Sequence, residues 1–286
     1  MNSIDRRVLF TSGAAAALLA ATGVSAQTSP HRGGRLRAAL SGAARSDHWG
    51  IVDGAFMQAA RGAVFETLTE IAGDGTLRGD IAQSWETNDG GKTWSFLIQP
   101  SVIFHDDIAL HVDDIVSLFN RHSRLDVQGV AVGRTDQVVA TLNVANHSFP
   151  YLLAGPEFAV LPAQASRQAA GIGTGLYRAY KFQAGQQFIG TRVPKHRKDM
   201  LAGWFDEIEL VSISAENVRA EALRTGLVDV ADISVLDPYS DPVEFQLLPS
   251  PQSVQQIARH SIAQPNAIGQ FWPLDNTRMA TRWWMA

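Results

Sequence analysis

The stretch FHDDIALHVDDIVSLFNRH, Phe104 to His122, holds three histidines and four aspartates in nineteen positions. Two kinds of chemistry could use such a set. His105, Asp106, Asp107 and His111 are nitrogen and oxygen donors of the type that ligate divalent metals, which need several such side chains converging on one point. A carboxylate pair could instead act as acid and base. The pattern argues against both. There is no HExxH and no calcium-loop spacing. His111 and Asp114 share a helix face only if the helix begins one turn early. No serine elbow and no matched second carboxylate can be picked out.

The elements that carry these residues explain most of the charge without chemistry. From Val112 the apolar positions Ile115, Val116, Leu118 and Phe119 form a helical stripe. Asp113 and Asp114 then fall in the first turn, where the positive end of the helix dipole favours them. Arg121, His122 and Arg124 fall at the other end, where cations are favoured.

Upstream, GGRLRAAL, Gly33 to Leu40, reads as a strand, followed by the loop SGAARSDHWGIVDG. AFMQAARGAVFETLTEI, Ala55 to Ile71, reads as helix, with Phe56, Ala60, Val64 and Leu68 on one face. Turn signals at Gly73–Gly75 and Asn88–Gly91 punctuate a small hairpin-built sheet in which Trp94, Phe96 and Ile98 share a face. Downstream, DQVVATLN, GLYRAYKF, QFIGTRV, FDEIELVSI and LVDVADI read as strands. VEFQLLPS and SVQQIARHSI add two more. SAENVRAEALRTG reads as a helix with Ser214 as N-cap and Gly226 as its stop. Strands and helices mix throughout, so the fold class is α/β, or mixed α+β.

The ends and the composition narrow the function classes. Arg6 and Arg7 precede an apolar run from Val8 to Val24, and Val24-Ser25-Ala26 is a small-residue cleavage site. Residues 1–26 are expected to be a secretory signal, with the paired arginines favouring the twin-arginine route over an ordinary Sec signal. The formal net charge is −4 with no long basic run, which disfavours nucleic acid as a partner. There is no cysteine, hence no disulfide, thiolate ligand, iron–sulfur cluster or thiol nucleophile. No dinucleotide fingerprint, phosphate loop, haem-attachment motif or repeat is present, and no cofactor is implied.

Four segments in order carry a resemblance. They are Val64–Arg121 (VFETLTEIAGDGTLRGDIAQSWETNDGGKTWSFLIQPSVIFHDDIALHVDDIVSLFNR), Phe149–Pro162 (FPYLLAGPEFAVLP), Gly173–Pro194 (GTGLYRAYKFQAGQQFIGTRVP) and Phe205–Ile233 (FDEIELVSISAENVRAEALRTGLVDVADI). Together they resemble the periplasmic solute-binding proteins of peptide and nickel ABC importers, the dipeptide- and oligopeptide-binding type of solute-binding protein family 5. The resemblance implies a periplasmic, non-catalytic protein that holds a peptide or small-molecule ligand for an ABC permease in the inner membrane. It implies that the FHD segment is a turn capping the next helix. Such proteins usually have glycine where Asp107 stands, and Thr or Ser where His111 stands, so His111 is expected to be a poorer cap.

The resemblance also implies a lobe-one fold of the periplasmic-binding-protein type with a hairpin-rich subdomain, over 27–262. Residues 263–286 resemble the start of a second lobe that is otherwise missing, with Trp283 and Trp284 near the end. The ligand would lie against the loop after the first strand. There Asp47 could pair an amino terminus, His48 lies between, and Trp49 could cover a side chain. The glycine turn Gly173-Thr174-Gly175 could bring backbone groups close to the ligand. Each has a structural alternative: a solvated loop charge for Asp47, a core position for Trp49, a plain turn for the glycines. Two other classes stay open, an interaction protein that docks a partner at the missing-lobe face, or a metal-dependent enzyme using the His/Asp cluster. A remnant with no present role is the fourth.

Overall fold

The computed structural model describes residues 32–71, 76–134, 136–199, 201–234, 245–248 and 255–259. Residues 1–26, expected to be a signal, the turn at 73–75 and the tail 263–286 with its two tryptophans lie outside the described residues.

The first strand, β1 (Arg35–Leu40), sits inside a seven-stranded mixed sheet. It pairs in parallel with β10 (Glu207–Ser212) and β11 (Val230–Ile233). The rest of the sheet is antiparallel. β9 (Gln187–Arg192) pairs β10, and β8 (Tyr177–Gln183) closes one edge. On the other side β13 (Gln255–Arg259) pairs β11, and β12 (Phe245–Leu248) forms the edge. The period of two along β1 explains why the sheet is covered on both faces. Leu36, Ala38 and Leu40 join a core with Phe56 and Met57 of helix α1 (Gly54–Val64), while Ala39 joins a second cluster with Ala222 and Leu223 of helix α5 (Glu216–Arg224).

A separate four-stranded antiparallel sheet runs in the order β4 (Ala82–Glu86), β5 (Thr93–Ile98), β7 (Gln137–Leu142), β6 (Val127–Val132). Its inner face carries Trp94, Phe96 and Ile98, as the alternation predicts, and helix α2 (Val112–Arg121) covers it with Ile115, Leu118 and Phe119. Phe96, Phe119 and Phe149 form a ring cluster, each pair 6.2 Å apart between centroids. A buried ring of this size contributes roughly 2–3 kcal/mol through area alone. A two-stranded ribbon, β2 (Thr69–Ile71) with β3 (Leu77–Gly79), links the two sheets in sequence. Two short helices, α3 (Phe149–Leu152) and α4 (Ala165–Ala169), lie in the chain between β7 and β8.

Three local expectations change. The helix starting near Ala55 ends at Val64, and Thr69–Ile71 is strand, because Phe65 turns to an extended backbone at φ −120°. Helix α5 is entered from Ala215, not Ser214, with no side-chain cap, although Gly226 at φ 76° follows its end as expected. His111 caps better than its residue type suggests. Its Nδ1 accepts from the Asp113 amide at 3.4 Å, and its own amide donates to Asp114 Oδ2 at 2.9 Å, closing a reciprocal capping box.

Candidate functional site

The glycine turn and the FHD loop meet and build one site. Turn residues 171–175 follow α4 and lie against the C-terminal end of α1, where the Gly175 amide donates to the Val64 carbonyl at 2.8 Å. Gly173 has to be glycine: a Cβ there would fall 1.9 Å from the Val64 carbonyl oxygen. From the other side His105 clamps the turn. Its amide donates to Gly173 O at 2.9 Å, its Nε2 donates to Gly175 O at 2.8 Å, and its Nδ1 accepts from the Gly173 amide at 3.3 Å. A carbonyl only accepts, so these partners fix the Nε2–H tautomer. Burial lowers the His105 pKa to about 4, so the ring is neutral.

The remaining members of the His/Asp stretch disperse. Asp106 takes both oxygens to Arg167, at 2.8 Å each, and that hydrogen-bonded guanidinium lowers its pKa. Arg167 in turn lies 4.5 Å over the Phe104 ring. Asp107 occupies the left-handed region at φ 64°, which a short polar side chain tolerates better than most and glycine best. Among the described residues, no three His, Asp or Glu side chains gather in a way that could hold a metal ion.

A third segment completes the site. The chain leaving β9, Val193 to Lys198, crosses the glycine turn, and His196 Nε2 donates to Thr174 O at 2.8 Å while its Nδ1 accepts from the Lys198 amide at 3.1 Å. Arg197 and Lys198 plunge into a nest of carboxylates. Arg197 lies 2.7 Å from Glu66 and 2.6 Å from Asp80; Lys198 lies 2.6 Å from Asp80, 3.2 Å from Glu70 and 3.3 Å from Glu66. Both Glu66 oxygens sit at ion-pair distance yet outside hydrogen-bond alignment. Arg78 adds a third cation at 2.7 Å from Glu70. Burial alone would lower the Lys198 and Arg197 pKa values, but the facing carboxylates outweigh it and raise both. Three carboxylates thus meet three cations, which is the condition for burying them.

Between the FHD loop, the glycine turn and this segment lies a cavity of about 330 Å³. Its floor is Phe104, His105 and Thr174, all buried, and its mouth carries exposed Ile103, Arg178 and Lys195.

Of the residues expected to contact a ligand, only Thr174 lines this cavity; Gly173 and Gly175, its chain neighbours, and Asp47, His48 and Trp49 are not part of its lining. Asp47 is buried and shapes its own loop, accepting from the Ala44 amide at 2.8 Å. Trp49 is 4% exposed, packed among Phe65, Phe182 and Phe188 with centroids 4.6–5.8 Å away. His48 faces solvent, with Nδ1 accepting from the Gly50 amide at 3.0 Å. Sequence reasoning missed Arg178, the 193–198 segment and the carboxylates Glu66, Glu70 and Asp80. The basic run PKHRK just past a strand, and the acids that recur from Glu66 to Asp80, were the available signal.

The family model for bacterial extracellular solute-binding proteins, family 5 (middle), matches residues 76–266. The chain belongs to this family of solute-binding proteins. Solved structures agree on the fold. The periplasmic binding protein AgaA of A. tumefaciens R10, in complex with agropinic acid, superposes with a TM-score of 0.68 at 24% identity over 75% of this chain and 48% of its own. DppA of Helicobacter pylori, in complex with the peptide STSA, gives 0.67 at 17% identity over 77% of this chain and 51% of its own. NikZ of Campylobacter jejuni, in complex with Ni(L-His), gives 0.61 at 19% identity over 76% and 47%. The chain spans about half the length of these relatives. The mixed α/β architecture expected from sequence is the one found.

Proposed function

We propose that this protein is the periplasmic substrate-binding component of an ABC-type importer for peptides or similar small solutes. It binds and hands over its solute without catalysis, and it works with a permease in the inner membrane. It reaches the periplasm through a signal at residues 1–26, cleaved after Ala26. The observation that supports this reading is the continuous family match across both sheets, residues 76–266. The partners of the FHD loop add to it: His105, Asp106 and His111 are each engaged in shaping the fold. Of the expected ligand contacts, His48 offers an exposed ring on the loop after β1, and Thr174 lines the cavity beside the glycine turn. Asp47 and Trp49 act behind it by holding that loop in shape.

The test is thermal unfolding of the purified chain with and without a defined peptide mixture, and separately with a nickel–histidine mixture. A ligand that binds only the folded state must raise the midpoint by mass action. A rise with peptides supports the peptide reading, and a rise with nickel–histidine alone moves the solute class to a metal chelate. A cooperative transition that no solute shifts overturns the reading in favour of a protein that docks another protein.

A further inference from the structure

The cavity beside the glycine turn has a chemical bias that the importer reading does not supply. Both histidines on its wall are spent, because each ring nitrogen of His105 and His196 already has a protein partner. What remains free is positive or a donor. Arg178 and Lys195 stand exposed at the mouth and form no ion pair among the described residues. Arg197 lines the wall, and its Nε is buried without a partner while its Nη2 holds Glu66 and Asp80. Thr174 is 1% exposed, yet its hydroxyl has no hydrogen-bond partner in the protein. A buried hydroxyl left unpaired is costly and is rare in a finished core. Against these donors stands one carboxylate, Asp107.

The shape matches the charge. The wall between the cations is apolar, made by Val102, Phe104, Val193 and Pro194. A volume of about 330 Å³ falls at the lower end of small-molecule pockets. Lys195 and Asp107 both hold left-handed backbone, φ 60° and 64°, where side chains other than glycine are rarely kept without a reason.

We infer that this cavity binds a small organic anion, its carboxylate or phosphate head held by Arg178, Lys195 and the Thr174 hydroxyl and its short apolar body laid against Phe104 and Val193. The site lies at the junction of the two sheets and stands whether or not the protein serves an importer.

Calorimetric titration of the full chain tests it with three probes. Benzoate is a carboxylate with an apolar body, inorganic phosphate is a bare head, and benzyl alcohol is a neutral match for benzoate. The expected result is one-to-one binding of benzoate with benzyl alcohol silent. Phosphate binding in place of benzoate assigns a phosphate head to the same site. The exposed changes Arg178→Gln and Lys195→Gln each weaken the bound anion by about ten-fold, the worth of one charge-assisted contact, with the unfolding midpoint unchanged. Thr174→Val distinguishes a ligand group from an idle one, since it weakens the anion while raising the midpoint of the unliganded chain. The inference is overturned if neither anion binds, if benzyl alcohol binds as well as benzoate, or if binding is indifferent to Arg178→Gln and Lys195→Gln.

Discussion

The Arg197 guanidinium lies 2.6 Å from Asp80 Oδ1 across 117 residues of sequence, and the Asp80 side chain is fully buried. This pair ties the segment leaving β9 in the large sheet to the chain that enters the small one. Lys198 adds a second cation to the same oxygen at 2.6 Å. Removing one partner of such a set leaves the two buried cations short of a countercharge. Asp80→Asn is expected to cost about 3–5 kcal/mol. Urea unfolding measures it, and a loss below about 1 kcal/mol would show that water reaches Arg197 and Lys198 freely.

The glycine turn admits a sharper steric prediction. In Gly173→Ala the added carbon would meet the Val64 carbonyl oxygen at 1.9 Å, and the atom in the way is backbone at the end of α1. Overpacking costs about 1–3 kcal/mol, and the upper end is expected here because the obstacle is backbone that no rotamer relieves. The same change at Gly129, where nothing lies within 4 Å, is the control and is expected to stay within about 0.5 kcal/mol. Equal midpoints for the two variants would mean the turn does not pack on α1.

The loop after β1 separates into a buried and an exposed role. Trp49→Ala opens a hole among Phe65, Phe182 and Phe188 and is expected to lose about 3–5 kcal/mol of stability. His48→Ala removes an exposed ring and is expected to change stability by less than about 0.5 kcal/mol. Chemical unfolding followed by fluorescence reads both. A mild effect at Trp49 would return it to the ligand side of the loop.

Where periodicity is strong, the fold was legible. Thr93–Ile98 alternates in sequence and in burial, and the stripe of α2 meets it as the helical spacing requires. The turn role of the FHD segment was legible too, because Asp107 stands where glycine is usual and takes the left-handed backbone that glycine takes. What could not be read is long-range. Nothing local says that Glu66 and Asp80 wait for Arg197 and Lys198, because ion pairing between sheets leaves no period in the sequence. Trp49 shows the same limit: a tryptophan in a polar loop reads equally as contact or core, and only the rings of Phe182 and Phe188, more than a hundred residues on, decide it. His111 was undervalued since its capping depends on Asp114 closing the box from the other side.

The clamp residue His105 gives the chain a pH dependence of definite sign. Unfolded, its imidazole titrates near 6.5; folded, burial holds it at about 4. Between those values the unfolded chain binds a proton that the folded chain refuses. Stability therefore rises with pH through this window. The contribution is complete above about pH 6.5 and is lost progressively as pH falls toward 4, for a total near ~3 kcal/mol at about 1.4 kcal/mol per pH unit. Protonation would also put a donor on Nδ1, where the Gly173 amide already donates, so the clamp on the glycine turn is broken by the same event. Urea unfolding at about pH 7 and about pH 4.5, run on the native chain and on His105→Gln, isolates the effect, because the carboxylates titrate alike in both. The difference between the two pH values should shrink by about 2–3 kcal/mol in the variant. An undiminished difference would mean that His105 is charged in the fold, and that the glycine turn is held some other way.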